Sequence, residues 1–534
     1  MPLFNVKIKH SGKTHDVVLD TDQPGLAFKE AIFQKTGIPV DRMKVMVKGG
    51  MLKDDGDWKK IAPKEGQAFT VIGAAGELPK PPSEPVKFLE DMDDAELANA
   101  LRLPVGLVNL GNTCYMSATI QAMRGIPELQ NALNIAKPFA PLPKAFNELF
   151  NTMANTTGSV TPSNFLVNLR QVVPQFNERA RQGLGFAQQD AEECWSQILQ
   201  AVKDIPGSPG PSGVVDSNRK FVDQYMTGRI VREMKSAEAP DEPPSITTEN
   251  VLKVECNINM NTNFMHSGIA DALDQTIVKR SESLGREATY TMQSRLSRLP
   301  TYLTVHMVRF TWRRDINKKA KIMRKVKFPV EYDALDLATD ELKGKLRPVS
   351  RRLLEIEKER RERTKVRRRT KAAKEAAAAP TPAPVSGGDE PMEVVSEGTQ
   401  GGALKDEDEY RREELAELEK LVDPEVKADV GASVTGLYDL VAIITHKGAA
   451  ADAGHYIGFV KKSALHSPKP TGIVDGGDSS TGSGAGVVAD DDDDWYKFDD
   501  EKVSIFPAEK LATLDGGGED ASAYVLLYRS KTLV

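Results

Sequence analysis

Two stretches of this chain carry too little apolar surface to be packed, and their positions decide what the rest can fold into. Residues 343–430 hold a run dense in Arg, Lys and Glu at 351–371, an Ala/Pro run at 376–384, a Gly/Ser/Glu stretch and a second charged run at 406–419. The charged runs have helix-forming composition but little apolar face to bury. Residues 463–494 are rich in Gly and Ser and end in five consecutive aspartates, a solvated loop by composition. Both read as insertions, disordered or charged, and the first bridges two parts of one domain. At 534 residues the chain is also too long for a single core of roughly 100 to 200 residues, so more than one folded unit is expected.

The net charge of -6 supplies no general attraction for nucleic acid. Three widely spaced cysteines, Cys114, Cys194 and Cys256, fit neither a disulfide framework nor a Cys-x-x-Cys zinc pair, and point to a reducing compartment. The first residues lack an apolar signal core, and no window approaches the roughly 18 apolar residues of a membrane span. A soluble, cytoplasmic protein is expected, with no membrane and no nucleic acid among its partners. The basic run at 351–371 is a solvated helical face, an acidic-partner site or a nuclear import signal, and the last adds the nucleus to its locations.

At the start, Phe4, Val6 and Ile8 alternate with polar residues, turn through Ser11-Gly12-Lys13, and are followed by Val17, Val18 and Leu19, which predicts a β-hairpin. A short helix from Pro24 to Gly37 carries Phe28, Ile32 and Phe33, and a strand and turn follow at Val45-Met46-Val47-Lys48-Gly49-Gly50. This ββαβ order, closed by Phe69-Thr70-Val71-Ile72, resembles a ubiquitin-like β-grasp domain over residues 1–75. Residues 76–102, with Pro79, Pro81, Pro82 and Pro85, have the composition of a semi-rigid linker. No free terminal Gly-Gly follows the domain, so a docking module is the better reading than a conjugated tag.

The chemistry gathers around Cys114. It follows Asn109-Leu110-Gly111-Asn112-Thr113, residues suited to a tight turn, and precedes Met116, Ile120 and Met123 at helical spacing. A cysteine at a helix N-terminus has its thiolate favoured by the helix dipole. A second element, Ala453-Gly454-His455-Tyr456-Ile457-Gly458-Phe459-Val460, reads as a strand after a hairpin turn, with His455 held by the sheet yet open at one end, as a general base requires. His306 and His446, within apolar strands, read as hydrogen-bonded core histidines. Downstream, Trp495-Tyr496-Lys497-Phe498-Asp499-Asp500 offers two candidate acids.

Residues 106–121 resemble the cysteine box of the ubiquitin-specific protease family at nearly every position, and the His455 strand resembles its histidine box. Together with the N-terminal module, the chain most closely resembles the proteasome-associated type within that family. The resemblance implies an α+β fold in which a papain-like catalytic domain of thumb, palm and fingers occupies residues 103–530. It implies a cysteine protease that cleaves after the terminal glycine of ubiquitin on proteasome-bound substrates, with no cofactor. Ubiquitin, ubiquitinated proteins and the proteasome regulatory particle are the implied partners. A non-catalytic ubiquitin-binding regulator of the proteasome is the alternative.

By the same resemblance Cys114 is the nucleophile, His455 its base, and Asp499, directly after Phe498, the acid that orients the ring through Nδ1 and leaves Nε2 to the sulfur. The residues alone leave Asp499 and Asp500 open. Asn109 matches the position whose side-chain amide donates to the oxyanion, although an Asx-type turn explains it equally. Gln189 and Asp190 match a substrate-touching box, with helix capping the rival reading. Phe328, Tyr456 and Tyr524 are the implied lining of the channel for ubiquitin's tail, or core aromatics. Many family members hold zinc in the fingers through two Cys-x-x-Cys pairs; residues 229–298 offer only Cys256, so no metal is expected there and strand packing must hold the fingers.

Overall fold

A computed structural model of the chain describes residues 3–48, 50–56, 58–73, 89–180, 185–208, 219–314, 318–378, 405–450, 453–466 and 493–533. They form two compact units, Met1–Asp91 and Met92–Val534.

In the first unit β1 (Leu3–His10), β2 (Lys13–Asp20), α1 (Gly25–Thr36), β3 (Lys44–Val47), β4 (Gly50–Met51) and β5 (Ala68–Ile72) build a sheet in the order β2-β1-β5-β3-β4. Period-2 alternation sends Val6, Ile8, Val17, Leu19, Phe69 and Val71 to one face. α1 covers that face, its Phe28 ring edge-on to Trp58 and Phe69 at 5.3 and 5.6 Å. The helix stops at Gly37, whose φ of 70° lets its N–H return to the Phe33 carbonyl. This is the β-grasp order expected, with one further short strand.

The second unit opens with α2 (Asp94–Leu101), inside the stretch read as linker. Asp93 and Glu96 form a reciprocal capping box, a signal that the neighbouring prolines obscured. Those prolines lie outside the described residues. Four helices then pack together: α3 (Cys114–Met123), α4 (Pro141–Ala154), α5 (Ser163–Val172) and α6 (Ala191–Ala201). Every residue of α3 is buried, so it is the central helix of this layer.

The chain continues through β6 (Gly228–Ser236), β7 (Ser245–Val251), β8 (Val254–Asn257), β9 (Asp274–Arg280) and β10 (Glu287–Arg298). All but β8 make an antiparallel sheet, β7-β6-β10-β9, which forms the fingers. Strand packing is not all that holds its tip. The Glu242 carboxylate accepts hydrogen bonds from the hydroxyls of Ser281, Ser283 and Tyr290 at 2.9 to 3.0 Å, joining the two tip loops.

The palm uses β8 with β11 (Tyr302–Val308), β12 (Phe310–Arg313), β13 (Lys318–Lys321) and β14 (Glu331–Asp333), then strands from beyond the first insertion. These are β15 (Leu437–Ala450), β16 (Ala453–Lys461), β17 (Trp495–Asp499), β18 (Lys502–Phe506) and β19 (Ser522–Ser530). The main path runs β18-β17-β16-β15-β19-β11-β8. Gly458 of β16 lies against α3: a Cβ there would sit 3.2 Å from the Ala118 carbonyl oxygen.

Much of the first insertion is not the solvated run its composition suggests. α7 (Asp340–Ala378) and α8 (Glu407–Leu421) pair, and Val349, Leu353 and Ile356 pack with Leu418, Val422 and Leu437 of β15. Leu342, Leu346, Val349, Leu353 and Ile356 are spaced 4, 3, 4 and 3, a seam one residue wide that the surrounding charges hide. Arg360 and Arg363 both bind Glu414, at 2.7 and 2.6 Å. Residues 379–404 of this insertion and 467–492 of the second lie outside the described residues.

Candidate functional site

The cysteine turn is built by Asn109. Its Oδ1 accepts from the Gly111 N–H (2.9 Å), the Thr113 N–H (3.3 Å) and the Thr113 hydroxyl (3.2 Å). Gly111 and Asn112 turn the chain through positive φ, 92° and 53°, and α3 begins at Cys114 itself. The sulfur is therefore at the N-terminus of the central helix, in a residue 2% exposed.

Two strands bring the other groups. β16 carries His455 and β17 ends at Asp499, and the pair is closed by a 2.6 Å hydrogen bond between His455 Nε2 and Asp499 Oδ1. Asp499 Oδ2 also meets Lys497 Nζ at 3.1 Å. With Nε2 taken by Asp499, Nδ1 is the nitrogen left for Cys114, whose influence on the ring is felt in its raised pKa. That reverses the ring orientation expected from the sequence: Asp499, at the end of the neighbouring strand β17, meets the outer nitrogen of the ring, Nε2.

Electrostatics follow from these contacts. The hydrogen bond with Cys114 does most to raise the His455 pKa, burial opposes it, and Asp499 adds to it, for a value of about 9. His455 is thus an imidazolium at neutral pH, a natural counterion for a thiolate. Burial works against the charged form of Asp499, but hydrogen bonds from His455 and Lys497 outweigh it and hold its carboxyl below the usual range. Asp500 goes the other way, raised by burial.

Asp500 has a separate position. At φ 52° it turns β17 into β18, and its Oδ2 accepts from Asn109 Nδ2 at 2.8 Å. Its carbonyl accepts from the Leu107 N–H at 3.0 Å. Gly106 permits that approach, since a Cβ there would fall 2.3 Å from the Glu501 carbonyl oxygen. Asn109 therefore makes the Asx-type turn, and its amide is engaged by Asp500 rather than directed at the sulfur.

A cleft runs from this point between α6 and the palm, lined by Gln175, Gln188, Gln189, Asp190, Phe310 and Tyr524 among others. Gln189 Nε2 donates to the Gln175 carbonyl at 3.0 Å. Asp190 caps α6, its Oδ1 accepting from the Glu192 and Glu193 N–H groups, while Oδ2 accepts from the Tyr524 hydroxyl at 2.7 Å. Tyr524 forms a wall. Tyr456 does not line the cleft; it is 1% exposed and packs behind Tyr524, with ring centroids 6.0 Å apart. Phe328 is also absent from the cleft lining and packs against the palm core, in a segment outside any strand whose neighbour Lys327 bridges to Phe264. His446 is buried but not hydrogen-bonded among the described residues: it lies edge-on to Phe310 and Tyr456, and burial holds its pKa down at about 4.

Two sulfur contacts escaped the sequence reading. Gln188 Nε2 donates to Cys114 Sγ at 3.2 Å, and the Tyr456 backbone N–H approaches it at 3.5 Å. Gln188 stands one residue before the singled-out pair, so adjacency was the only signal available. Among the described residues no cluster of side chains could hold a metal ion, and no helix is long and apolar enough to cross a membrane.

Comparison with known proteins gives the same picture at the level of the whole chain. Residues 105–528 match the family described as ubiquitin carboxyl-terminal hydrolase, and residues 4–69 match the ubiquitin family. Ubiquitin carboxyl-terminal hydrolase 6 of Schizosaccharomyces pombe is 39% identical across 99% of this chain and 100% of its own length. Ubiquitin carboxyl-terminal hydrolase 6 of Arabidopsis thaliana is 32% identical across 98% of each chain. Ubiquitin carboxyl-terminal hydrolase 14 of Caenorhabditis elegans is 29% identical across 100% of this chain and 94% of its own.

Proposed function

We propose, for a chain that belongs to the ubiquitin carboxyl-terminal hydrolase family and is thus a thiol-dependent deubiquitinating hydrolase, that Cys114, His455 and Asp499 carry the reaction. The observation that carries the assignment is the single imidazole held by a carboxylate at 2.6 Å, with the cysteine at the start of α3 the largest influence on its protonation.

The Cys114 thiolate attacks the carbonyl of ubiquitin's terminal glycine, and the imidazolium of His455 protonates the departing lysine amine from Nδ1. His455 then takes a proton from the water that releases ubiquitin, while Asp499 holds the ring in place throughout. The cleft shares Gln188 with the sulfur, and its wall sets Asp190, Glu192 and Glu193 against one cation, Lys319, which suits an extended tail with cationic side chains.

The first unit is the docking module for the proteasome in this reading, and conjugates held there are the substrates. Its sheet presents Met46, Met51 and Ile72 on one face, each 42 to 57% exposed, an apolar patch of the kind that partners cover. Cytoplasm and nucleus are the compartments that such a partner and the basic α7 surface favour.

Ubiquitin bearing a C-terminal thiol-reactive warhead tests the assignment. Wild-type protein should form a covalent adduct and Cys114→Ala none, with proteasome increasing the yield. Equal labelling of both proteins moves the nucleophile elsewhere, and no labelling under any condition returns the chain to a non-catalytic ubiquitin reader.

A further inference from the structure

The amide in contact with the reacting sulfur belongs to Gln188, not to Asn109. Asn109 has its Oδ1 in three hydrogen bonds of the cysteine turn and its Nδ2 on Asp500. Gln188 Nε2 is 3.2 Å from Sγ, and the residue also lines the cleft between α6 and the palm.

Its position is fixed from three sides. The side chain of Gln189 is held by the Gln175 carbonyl, and Asp190 is locked as the cap of α6 and by Tyr524. Two residues upstream the Phe186 carbonyl accepts from Asn112 Nδ2 at 3.0 Å, tying this segment to the turn that presents Cys114. Arg170 covers the Phe186 ring at 3.4 Å from its centroid, anchoring the same point from α5. With both flanks secured, the backbone places the Gln188 side chain within reach of the sulfur, and the contact with Sγ orders the rest of it.

We propose that Gln188 is a catalytic residue that donates a hydrogen bond first to the negative charge on Sγ and then to the oxygen on which that charge lands. This rests on the reading of Cys114 as nucleophile. When the sulfur lone pair forms the S–C bond, the carbonyl π pair moves onto oxygen and no proton is transferred. The charge has moved two bonds, within reach of a rotation of the same amide. On collapse the C=O bond reforms, the C–N bond breaks, and the leaving nitrogen takes its proton from His455 Nδ1. The donor lowers the barrier by as much as its bond to the developing oxyanion, held in the fixed geometry of the site, exceeds its bond to the thiolate.

Three measurements on the full chain test this. The first is turnover of ubiquitin carrying a fluorogenic C-terminal amide by wild type, Gln188→Ala and Gln188→Glu. The second is the rate at which iodoacetamide alkylates Cys114 at neutral pH without ubiquitin. The third is the affinity for ubiquitin of Cys114→Ala with and without Gln188→Ala.

Removing one such donor should lower kcat by roughly a hundredfold to a thousandfold, with ubiquitin affinity unchanged and alkylation slowed. Gln188→Glu, which keeps the shape and replaces the donor by an acceptor, should be slower still in both reactions. An unchanged kcat, or a loss found wholly in affinity, overturns the proposal and makes Gln188 a substrate-binding side chain. If wild type hydrolyses no ubiquitin substrate, the assignment of function fails separately. Alkylation then still decides: slower in Gln188→Ala supports the contact, and equal rates overturn it.

Discussion

His455 carries the site's main electrostatic consequence. Its pKa is raised to about 9 from an ordinary 6.5, with Cys114 the largest cause. A histidine raised on folding stabilises the native state fully below its unfolded value, and that stabilisation is lost as pH rises through the folded value. The window is therefore about pH 6.5 to 9. The same titration removes the proton that the leaving amine needs, so kcat/KM, which reports the free enzyme, should fall on the alkaline side with a midpoint near 9. Cys114→Ala deletes the leading cause, and the ring should then titrate clearly lower, which NMR of the His455 ring will read directly. A His455 pKa unchanged by Cys114→Ala would falsify the coupling between ring and sulfur. The candidate residues were legible because each stood in a frame of its own, a helix start or a strand mouth. Which nitrogen faced which partner was not, since ring orientation depends on how β16, β17 and α3, far apart in sequence, come together.

At the level of elements, period and punctuation worked wherever apolar residues dominated, as in β1, β2 and α1. They failed in α7 and α8, where the apolar seam is a single residue wide and mean composition is ruled by Arg, Lys and Glu. A seam of spacing 4 and 3 is visible once sought, but only a partner helix makes it stable, and α8 lies over fifty residues downstream. The fingers failed for another reason. Glu242 sits in one loop and its three hydroxyl partners on another loop and on β10, and no spacing rule links a carboxylate to Ser281, Ser283 and Tyr290. The seam predicts an outcome. Leu353 is 1% exposed, and Leu353→Ala should cost about 2 to 5 kcal/mol of local stability. Hydrogen exchange should accelerate in α7 and α8, while ubiquitin-amide turnover stays within about twofold because the triad lies on other elements. Turnover lost in step with the helices would instead make the hairpin part of the catalytic core.

Across the whole molecule the two units divide the work, and that division sets what a surface change can do. The first unit has its own core, with Val6, Ile8, Ile32, Val45 and Phe69 nearly inaccessible, and it needs nothing from the second to bury them. Its patch, by contrast, is outside that core: Met46 and Met51 face each other across β3 and β4, and Ile72 is paired with Lys44 on the same side of β5. Charge placed there changes association rather than folding, because exposed positions away from packing shift stability by only about 0.5 kcal/mol. Met46→Glu combined with Ile72→Glu in the full chain should leave the melting temperature and the warhead labelling of Cys114 in isolation unchanged. Co-sedimentation with proteasome should fall by tenfold or more, since two buried charges in an apolar contact have no partner there. Any increase in labelling produced by proteasome should disappear with it. Retained co-sedimentation would assign the docking to the second unit, where α7 offers the strongest concentration of charge.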